Sequence, residues 1–225
     1  MVHNVIRSSG VFLGLDSETA KDLVGTMRSV KLKKGQVLFR EGDEGEKFYL
    51  IQSGRMKLGR TAADGRENLL ALLGAGEMLG ELTLFDPGPR TATATAVVPS
   101  DLLELSHGAM SEWLDRNPDA AKHLLGALAH RLRRTNEALA DLVFSDVPGR
   151  VAKALLDLAR RFGESSDEGV RVSHGLTQDE LAKLVGASRE TVNKALSEFA
   201  SRGWLRLEGR SVVLLDPTRL KRRAR

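Results

Sequence analysis

The sequence contains no cysteine among its 225 residues. That absence excludes disulfides, thiolate metal sites, iron–sulfur clusters and thiol redox sensing together. No apolar run approaches the ~18 residues that a membrane-spanning helix needs. The first residues also lack the long apolar core of a secretion signal. We therefore expect a cytoplasmic protein that uses neither thiol nor iron–sulfur chemistry.

Histidine is scarce, and none of the five histidines has a partner at metal-ligand spacing. His123 and His130 stand one heptad apart, too far apart to share one metal ion, and are expected to be solvated. The other histidines are also isolated: His3, His107 and His174. The sequence therefore predicts no metal site. Haem sensing is disfavoured because residues 80–96, which carry the candidate ligand site described below, contain no histidine.

Acidic residues dominate the first half of the chain and basic residues the second. Residues 1–117 hold 14 Lys and Arg against 16 Asp and Glu, a net charge of −2; residues 118–225 hold 20 against 14, a net charge of +6. This asymmetry indicates an anionic partner for the second half. Nucleic acid is favoured over a membrane surface, because no basic amphipathic segment carries exposed aromatic residues.

One long helix is predicted over residues 118–145, between a proline start and the break at residues 146–149. Its apolar residues alternate in steps of four and three, the heptad pattern of a helix that packs against a second helix. This leucine seam consists of Ala121, Leu125, Leu128, Leu132, Leu139 and Leu142. Thr135 is its polar member, and Asn136 follows. A polar residue there either sets the register of two helices or receives a ligand.

The chain before residue 118 is predicted to be a small antiparallel barrel or jelly roll. Residues 4–27 read as short helical pieces, with Asp16 as the N-cap of a helix over residues 17–27. From residue 29 apolar and polar residues alternate, and turn signals recur about every ten residues. A last strand near residues 102–105 and a helix over residues 107–116 lead into the long helix.

Residues 80–96 interrupt this regular spacing with the sequence GELTLFDPGPRTATATA. Gly80 allows backbone amides to approach an anion, and Arg90 offers a planar guanidinium beside the Thr91 hydroxyl. The carboxylate of Glu81 could accept ribose hydroxyl protons. Alternatively, Arg90 pairs with Asp86 on the surface and Glu81 is a solvated acid. The residues alone leave both interpretations open.

A helix-turn-helix is predicted after the break. An amphipathic helix over residues 150–162 and a polar loop over residues 163–169 precede it. Thr177 and Glu180 form a capping box for its first helix, Gly186 makes the turn, and Ser188 caps the second helix. A hairpin over residues 204–215 would form a wing, and residues 221–225 a basic tail that lies near phosphates or stays disordered.

Together these stretches closely resemble the CRP/FNR family of bacterial transcription regulators, and most of all its actinobacterial cyclic-AMP receptor protein branch. The resemblance covers nearly the whole chain. It rests on GELTLFDPGPRTATATA, RRLRRTNEALADLVFSDVPGRVAKALL and LTQDELAKLVGASRETVNKALSEFASRGWLRLEG, in that order. It implies an α+β fold with a cyclic-nucleotide-binding jelly roll over residues 1–117, a dimerisation helix and hinge over residues 118–146, and a winged helix-turn-helix over residues 147–225.

The resemblance also implies roles for individual residues. Glu81 would hold the ribose, Arg90 and Thr91 the cyclic phosphate, and Thr135 and Asn136 the purine. The predicted effector-binding residues are Gly80, Glu81, Leu82, Arg90, Thr91, Thr135 and Asn136. The predicted DNA-binding residues are Thr177, Gln178, Ser188, Arg189, Glu190, Thr191, Asn193 and Lys194. The implied partners are double-stranded DNA carrying TGTGA-like inverted repeats, a second copy of the chain, and RNA polymerase.

Two positions depart from the enterobacterial pattern of the family. Asn136 stands where serine is usual, so cyclic GMP or another effector stays an alternative to cyclic AMP. Lys194 stands where arginine is usual, so that a forked guanine contact becomes a point-charge contact. An enzyme of nucleotide metabolism, such as a phosphodiesterase, is the remaining alternative. No metal cluster or activated nucleophile at useful spacing supports it, and no catalytic residue is predicted.

Overall fold

The computed structural model describes residues 16–224, apart from the side chain of Ser17. The helical pieces predicted over residues 4–15 and the last residue of the basic tail lie outside this part of the chain. The chain divides into two compact units. The first runs up to residue 60 and continues over residues 70–134; the second comprises residues 61–69 and residues 135 onward. Within residues 16–224, no helix is both long enough and apolar enough to cross a membrane.

The described part of the first unit begins with helix α1, Ser17–Thr26, one residue shorter than predicted. Asp16 caps it as expected, because its carboxylate accepts hydrogen bonds from the backbone N–H groups of Glu18 and Thr19, each at 2.9 Å. These bonds, first of all the one from Thr19, hold the pKa of Asp16 below its usual value.

Eight strands form the jelly roll that the alternating pattern predicts. They are β1 Arg28–Leu32, β2 Val37–Phe39, β3 Lys47–Ser53, β4 Arg55–Thr61, β5 Glu67–Gly74, β6 Met78–Leu79, β7 Thr93–Ala96 and β8 Ser100–Ser106. They make two four-stranded sheets with the orders β1-β8-β3-β6 and β2-β7-β4-β5. Strand β8 pairs antiparallel with both β1 and β3, so that its seven residues form the centre of the first sheet.

Strand β3 is buried on both faces, which the simple alternation did not predict. Phe48 and Leu50 belong to a core cluster that also contains Leu23 and Trp113. Tyr49 and Ile51 point the other way, into the interior between the two sheets. The helices therefore cover the outer face of this sheet, and two apolar layers hold the strand in place.

The stretch between β6 and β7 contains a single helical turn, α2 Leu82–Phe85, followed by an irregular segment with two prolines. Helix α3, His107–Arg116, has the predicted bounds and is capped by Ser106. Of the three residues predicted to face inward, Met110 and Trp113 are buried and Leu114 is half-buried.

The long helix α4 runs over Pro118–Phe144, one residue short of the prediction. Ala120 and Leu124 are buried in the core of the first unit. The seam residues lie on other faces of the helix: the exposed fractions are 61% for Leu125, 61% for Leu132 and 62% for Leu139. The heptad pattern therefore describes an apolar stripe that the described residues leave exposed at these three leucines.

Helix α5, Val147–Phe162, begins three residues earlier than predicted. The sequence predicts non-helical chain at residues 146–149. Pro148 instead lies in the first turn of α5, where a missing N–H costs nothing. Asp146 caps this turn by accepting a hydrogen bond from the Gly149 N–H at 2.9 Å. Only residues 145 and 146 separate α4 from α5.

Two predictions for the second unit were wrong. The loop expected over residues 163–169 contains strand β9, Gly163–Ser166, which pairs with β10, Gly169–Val172. Together with β11 Leu205–Glu208 and β12 Ser211–Leu214 it forms a four-stranded sheet with the order β11-β12-β10-β9. All four β9 residues are exposed, so this edge strand has no apolar alternation that would reveal it.

The basic tail is the second correction, because part of it is helical. Helix α8 covers Pro217–Arg223 and buries Leu220. Arg223 donates a hydrogen bond to the Asp146 carboxylate, which ties the end of the chain to the first turn of α5. The α+β architecture predicted from the sequence is otherwise confirmed: a jelly roll, a long central helix, and the winged helix-turn-helix of helices α6, Gln178–Val185, and α7, Arg189–Ser201.

Candidate functional site

A cleft in the first unit contains five of the residues predicted to bind an effector: Gly80, Glu81, Leu82, Arg90 and Thr91. Its other lining residues are Phe39, Leu58, Thr83, Ala92 and Arg131. The cleft encloses about 320 Å³ of empty space, part of it open to solvent. The turn of α2 and the segment before β7 thus meet, as their spacing predicted.

Glu81 directly precedes α2 and is only 1% exposed, although its side chain caps nothing. Its Oε1 accepts a hydrogen bond from Nη1 of Arg131 on α4. Its Oε2 is buried and has no hydrogen-bond partner among the described residues. A buried acceptor without a partner is costly, so this oxygen is suited to a hydroxyl donor of a bound molecule.

Arg90, which is 5% exposed, is fixed from behind. Its Nη2 donates to the Lys47 carbonyl at 2.5 Å, and its Nη1 donates to the Gly80 carbonyl at 3.1 Å and to Thr83 Oγ1 at 3.2 Å. Its guanidinium lies 4.4 Å from the centre of the Phe39 ring. The surface pairing of Arg90 with Asp86, left open from the sequence, is replaced by these contacts.

The charge of Arg90 is available to an anion. Burial lowers the pKa of the guanidinium, and the nearby Tyr49, Glu81 and Asp43 raise it in turn. An arginine stays protonated at any physiological pH. Its Nε is buried and has no partner among the described residues. A guanidinium whose Nη atoms are hydrogen-bonded and whose Nε–H has no acceptor can still donate that Nε–H to a phosphate oxygen.

Gly80 is required by this packing. Its φ of 76° lies in the left-handed region, and a Cβ there would come within 2.2 Å of Arg90 Nη1. Any other residue would therefore strain the backbone and displace the arginine. Thr91 lines the cleft with an exposed side chain.

Five lining residues were not predicted from the sequence: Phe39, Leu58, Thr83, Ala92 and Arg131. Arg131 lies four residues before Thr135, one helical turn away on the same side of α4, and that spacing is a signal that could have identified it. Thr135 and Asn136 belong to the second unit and are exposed. Their contact with a bound effector remains a prediction.

The helix-turn-helix forms as predicted in the second unit. The hydroxyl of Thr177 accepts from the Glu180 N–H at 3.1 Å, and the Glu180 carboxylate accepts from the Thr177 N–H at 2.7 Å, which completes the capping box. Gly186 makes the turn with φ of 65°. Ser188 caps α7 by accepting from the Thr191 N–H at 3.1 Å.

The two faces of α7 differ as a recognition helix requires. The inner face is buried and consists of Val192, Ala195, Leu196 and Phe199. Arg189, Glu190, Thr191 and Lys194 are exposed in its first two turns, and Asn193 is half-buried with no partner for its Oδ1 among the described residues. Gln178 is exposed at the start of α6. Exposed donors and acceptors of this kind can contact base edges in a major groove.

Arg150 on α5 holds the turn of this motif. Its guanidinium donates to the Val185 carbonyl at 2.9 Å and the Gly186 carbonyl at 3.2 Å, at the end of α6. It also donates to the Ser145 carbonyl at 2.7 Å, at the end of α4. One side chain thus satisfies carbonyls at two helix ends, which otherwise lack partners. No sequence pattern predicted this role.

Comparison with known proteins identifies two domain families along the chain. The family model of the cyclic nucleotide-binding domain matches residues 29–117, and that of the Crp-like helix-turn-helix domain matches residues 149–223. The chain is 50% identical over 221 residues to the CRP-like cAMP-activated global transcriptional regulator of Mycobacterium tuberculosis, which covers 98% of this chain and 99% of that protein. It is 37% identical over 216 residues to the cyclic AMP receptor protein of Thermus thermophilus, covering 94% and 97%.

Among solved structures, the c-di-GMP responsive global regulator CLP of Xanthomonas campestris matches with a TM-score of 0.76 and 28% identity. The match covers 88% of this chain and 99% of that one. These relatives are transcription regulators and not enzymes. The chain therefore belongs to the CRP/FNR family of bacterial transcription regulators, in the actinobacterial branch of cyclic-AMP receptor proteins.

Proposed function

We propose that this chain is a cyclic-AMP-responsive regulator that binds TGTGA-like inverted repeats in double-stranded DNA as a homodimer. The observation that carries the proposal is a pair of buried polar atoms on residues that line the cleft, Oε2 of Glu81 and Nε of Arg90, which have no partner among the described residues. A carboxylate for a ribose hydroxyl and a guanidinium for a cyclic phosphate are the two groups that a cyclic nucleotide needs.

We propose cyclic AMP rather than another cyclic nucleotide as the effector, because the relative at 50% identity is named as cAMP-activated. The relative described as c-di-GMP responsive is 28% identical, so effector identity varies among proteins of this architecture. The proposed effector-binding residues are Gly80, Glu81, Leu82, Arg90 and Thr91 in the cleft, with Thr135 and Asn136 for the purine.

The homodimer is proposed from the uncovered stripe of α4. Three leucines at heptad positions each expose about three fifths of their surface in the single chain. Leucines at such positions pack as knobs into the holes of a second helix. We accordingly assign residues 118–146 to dimerisation and the hinge, residues 1–117 to effector binding, and residues 147–225 to DNA.

For DNA, we propose that α7 enters the major groove. Arg189 can fork onto guanine O6 and N7, Glu190 can accept from cytosine N4, and Lys194 can contact guanine as a point charge. Two copies of α7 about 34 Å apart would read the two halves of an inverted repeat. The proposed contact residues also include Thr177, Gln178, Ser188, Thr191 and Asn193.

We propose that the nucleotide favours one of two arrangements of the dimer seam, the one that binds DNA. The effector then changes DNA affinity only by the difference between its own affinities for these two arrangements. Such a difference can originate at Glu81, since a ligand hydroxyl would bind the carboxylate that already holds Arg131 of α4.

Calorimetric titration of cyclic AMP, cyclic GMP and c-di-GMP tests the effector assignment. We expect cyclic AMP to bind most tightly and Arg90→Ala to weaken it about 10- to 100-fold, the loss of a charge-assisted hydrogen bond. Arg66→Ala is the control, because Arg66 is an exposed arginine that pairs with Asp64. Equal cyclic AMP binding by Arg90→Ala and the control would refute the phosphate site.

A further inference from the structure

His107 lies behind the phosphate-binding side chain of the cleft, where no role has been assigned to it. It is the first residue of α3, and its backbone N–H donates to the Glu46 carbonyl at 2.9 Å. Its ring Nε2 lies 3.4 Å from Thr83 Oγ1. The carbonyl oxygens of Gly80 and Lys47 are also close enough to the imidazole to stabilise its protonated form.

Arg90 uses the same three groups. Its guanidinium donates to the carbonyls of Gly80 and Lys47 and to the Thr83 hydroxyl. The imidazole and the guanidinium therefore share one set of acceptors. The position of either group affects the geometry available to the other.

The hydrogen bonds of Thr83 specify what His107 contributes. The hydroxyl has one proton and two lone pairs. It donates to the Gly80 carbonyl at 3.1 Å and accepts from Arg90, which leaves one lone pair for an N–H of His107. Gly45 packs so closely against Thr83 that an added Cβ would lie 2.6 Å from the threonine side chain. Thr83 therefore has little freedom to move.

The charge of Arg90 makes the protonation of His107 sensitive to a bound anion. Burial lowers the pKa of His107, Arg90 lowers it further, and Glu46 acts in the opposite direction. The Lys47 ammonium is paired with Glu104 at 3.1 Å. An anion on Arg90 would offset the repulsion between the guanidinium and a protonated imidazole.

On the basis of the proposed function, we propose that His107 is a positioning residue of the phosphate site. Its Nε2–H holds Thr83, and through Thr83 the Arg90 guanidinium, and the ring takes up a proton when an anionic cyclic nucleotide binds. Both protonation states keep the Nε2–H, so the positioning contact survives the uptake. By linkage, nucleotide affinity rises as the pH falls through the imidazole range.

Two substitutions separate positioning from proton uptake. His107→Gln keeps an N–H donor but cannot titrate, so it should bind cyclic AMP near the parent affinity at neutral pH without proton uptake. His107→Leu removes the donor and should weaken binding about tenfold. Thr83→Val removes the hydroxyl from the other side and should cost a similar factor. His123→Gln, on α4, is the matched control for a histidine outside the site.

The measurement is calorimetry of cyclic AMP binding at about pH 6 in buffers of different ionisation enthalpy, which counts protons taken up. We expect a fraction of a proton for the parent chain and for His123→Gln, and none for His107→Gln. Equal uptake by His107→Gln, or parent affinity in His107→Leu at neutral pH, would overturn the inference while leaving the cyclic nucleotide site intact. Absence of cyclic AMP binding by the parent chain would reject the proposed function and this inference with it.

Discussion

Glu81 and Arg131 are 50 positions apart in the sequence, and a hydrogen bond joins them in the cleft. Arg131 is on α4, so the carboxylate that lines the effector site also holds the long helix. The second carboxylate oxygen has no partner among the described residues. One acid can therefore contact the helix and a ligand at once, which is the connection that an effector-controlled dimer requires.

Replacing Glu81 with glutamine tests this dual role. The amide keeps an acceptor oxygen but loses the charge that strengthens both bonds, so we expect cyclic AMP to bind about 10- to 100-fold more weakly. Calorimetric titration measures the loss. Asp86→Asn, an exposed acid near the same cleft, is the control and should bind as the parent chain does. Parent-like affinity of Glu81→Gln would exclude this carboxylate as the ribose ligand.

The sequence predicted half of the residues that line the cleft, because these five are close together in the chain. Glu81 and Arg90 are separated by nine positions and flank a turn and a proline stop that bring them to one wall. Arg131 was missed because its contact with Glu81 is long-range; its spacing from Thr135 places it on the right side of α4 but does not report the Glu81 contact. The contacts of Arg90 with the Lys47 and Gly80 carbonyls were missed for the same reason: backbone acceptors carry no residue-type signal.

The leucine seam of α4 gives a second prediction. Leu132→Glu places a charge at the centre of the proposed dimer contact, where burial without a partner is costly, so we expect a shift from dimer to monomer. Sedimentation equilibrium measures the molecular mass independently of shape. His130→Glu introduces the same side chain on the outer face of the same helix and should remain dimeric. A dimeric Leu132→Glu protein would contradict pairing through this seam.

Lys194 gives a third prediction. Lys194→Arg restores a forked donor that can bond guanine O6 and N7 together. Because a good bidentate contact discriminates by about 1–3 kcal/mol, we expect the ratio of affinities for the matched and mismatched base pair to rise about tenfold. Anisotropy titrations on operators that differ at one position measure this ratio. Lys221→Arg, on α8, should leave the ratio unchanged, and an unchanged ratio for Lys194→Arg would mean that position 194 does not read this base pair.

Asp146 gives a fourth prediction, on stability. It caps α5 through the Gly149 N–H and accepts a hydrogen bond from Arg223. Asp146→Ala should lower the free energy of unfolding by about 1 kcal/mol, the usual effect of losing a cap. Asp146→Asn keeps a capping oxygen and should lose less. Asp167→Ala, in the β9–β10 turn, is the control for an exposed acid.

The cap of α5 should also depend on pH. The Arg223 hydrogen bond, followed by that of the Gly149 N–H, lowers the pKa of Asp146 in the folded chain. The stabilisation that the ionised Asp146 carboxylate contributes is therefore fully present above its pKa in the unfolded chain, about 3.9. It is lost as the pH falls through the folded-state pKa. Urea unfolding at neutral and acidic pH checks this: the difference between Asp146→Ala and the parent chain should shrink in acid. A difference that stays constant would exclude the carboxylate charge as its cause.

The second unit shows where local patterns mislead. Pro148 suggested that the next helix begins only after a break at residues 146–149, but a proline in a first helical turn is well tolerated, and α5 begins before it. The β9 strand consists of exposed polar residues, so only its pairing with β10 defines it. The run of basic residues at the end of the chain predicted a tail without regular structure. Part of it is helical instead, because α8 buries Leu220. The capping box and the turn glycine were predicted well because their geometry depends on residues within one or two turns.

The most direct test of the account is an anisotropy titration of a labelled TGTGA inverted repeat with and without saturating cyclic AMP. The salt concentration is held at a physiological value, because phosphate contacts alone make DNA binding strongly salt-dependent. We expect tighter binding with cyclic AMP, and loss of that binding on a scrambled site. Equal affinity for both DNA sites would contradict sequence recognition by α7, and specific binding that is unchanged by cyclic AMP would contradict control by the Glu81 and Arg90 cleft.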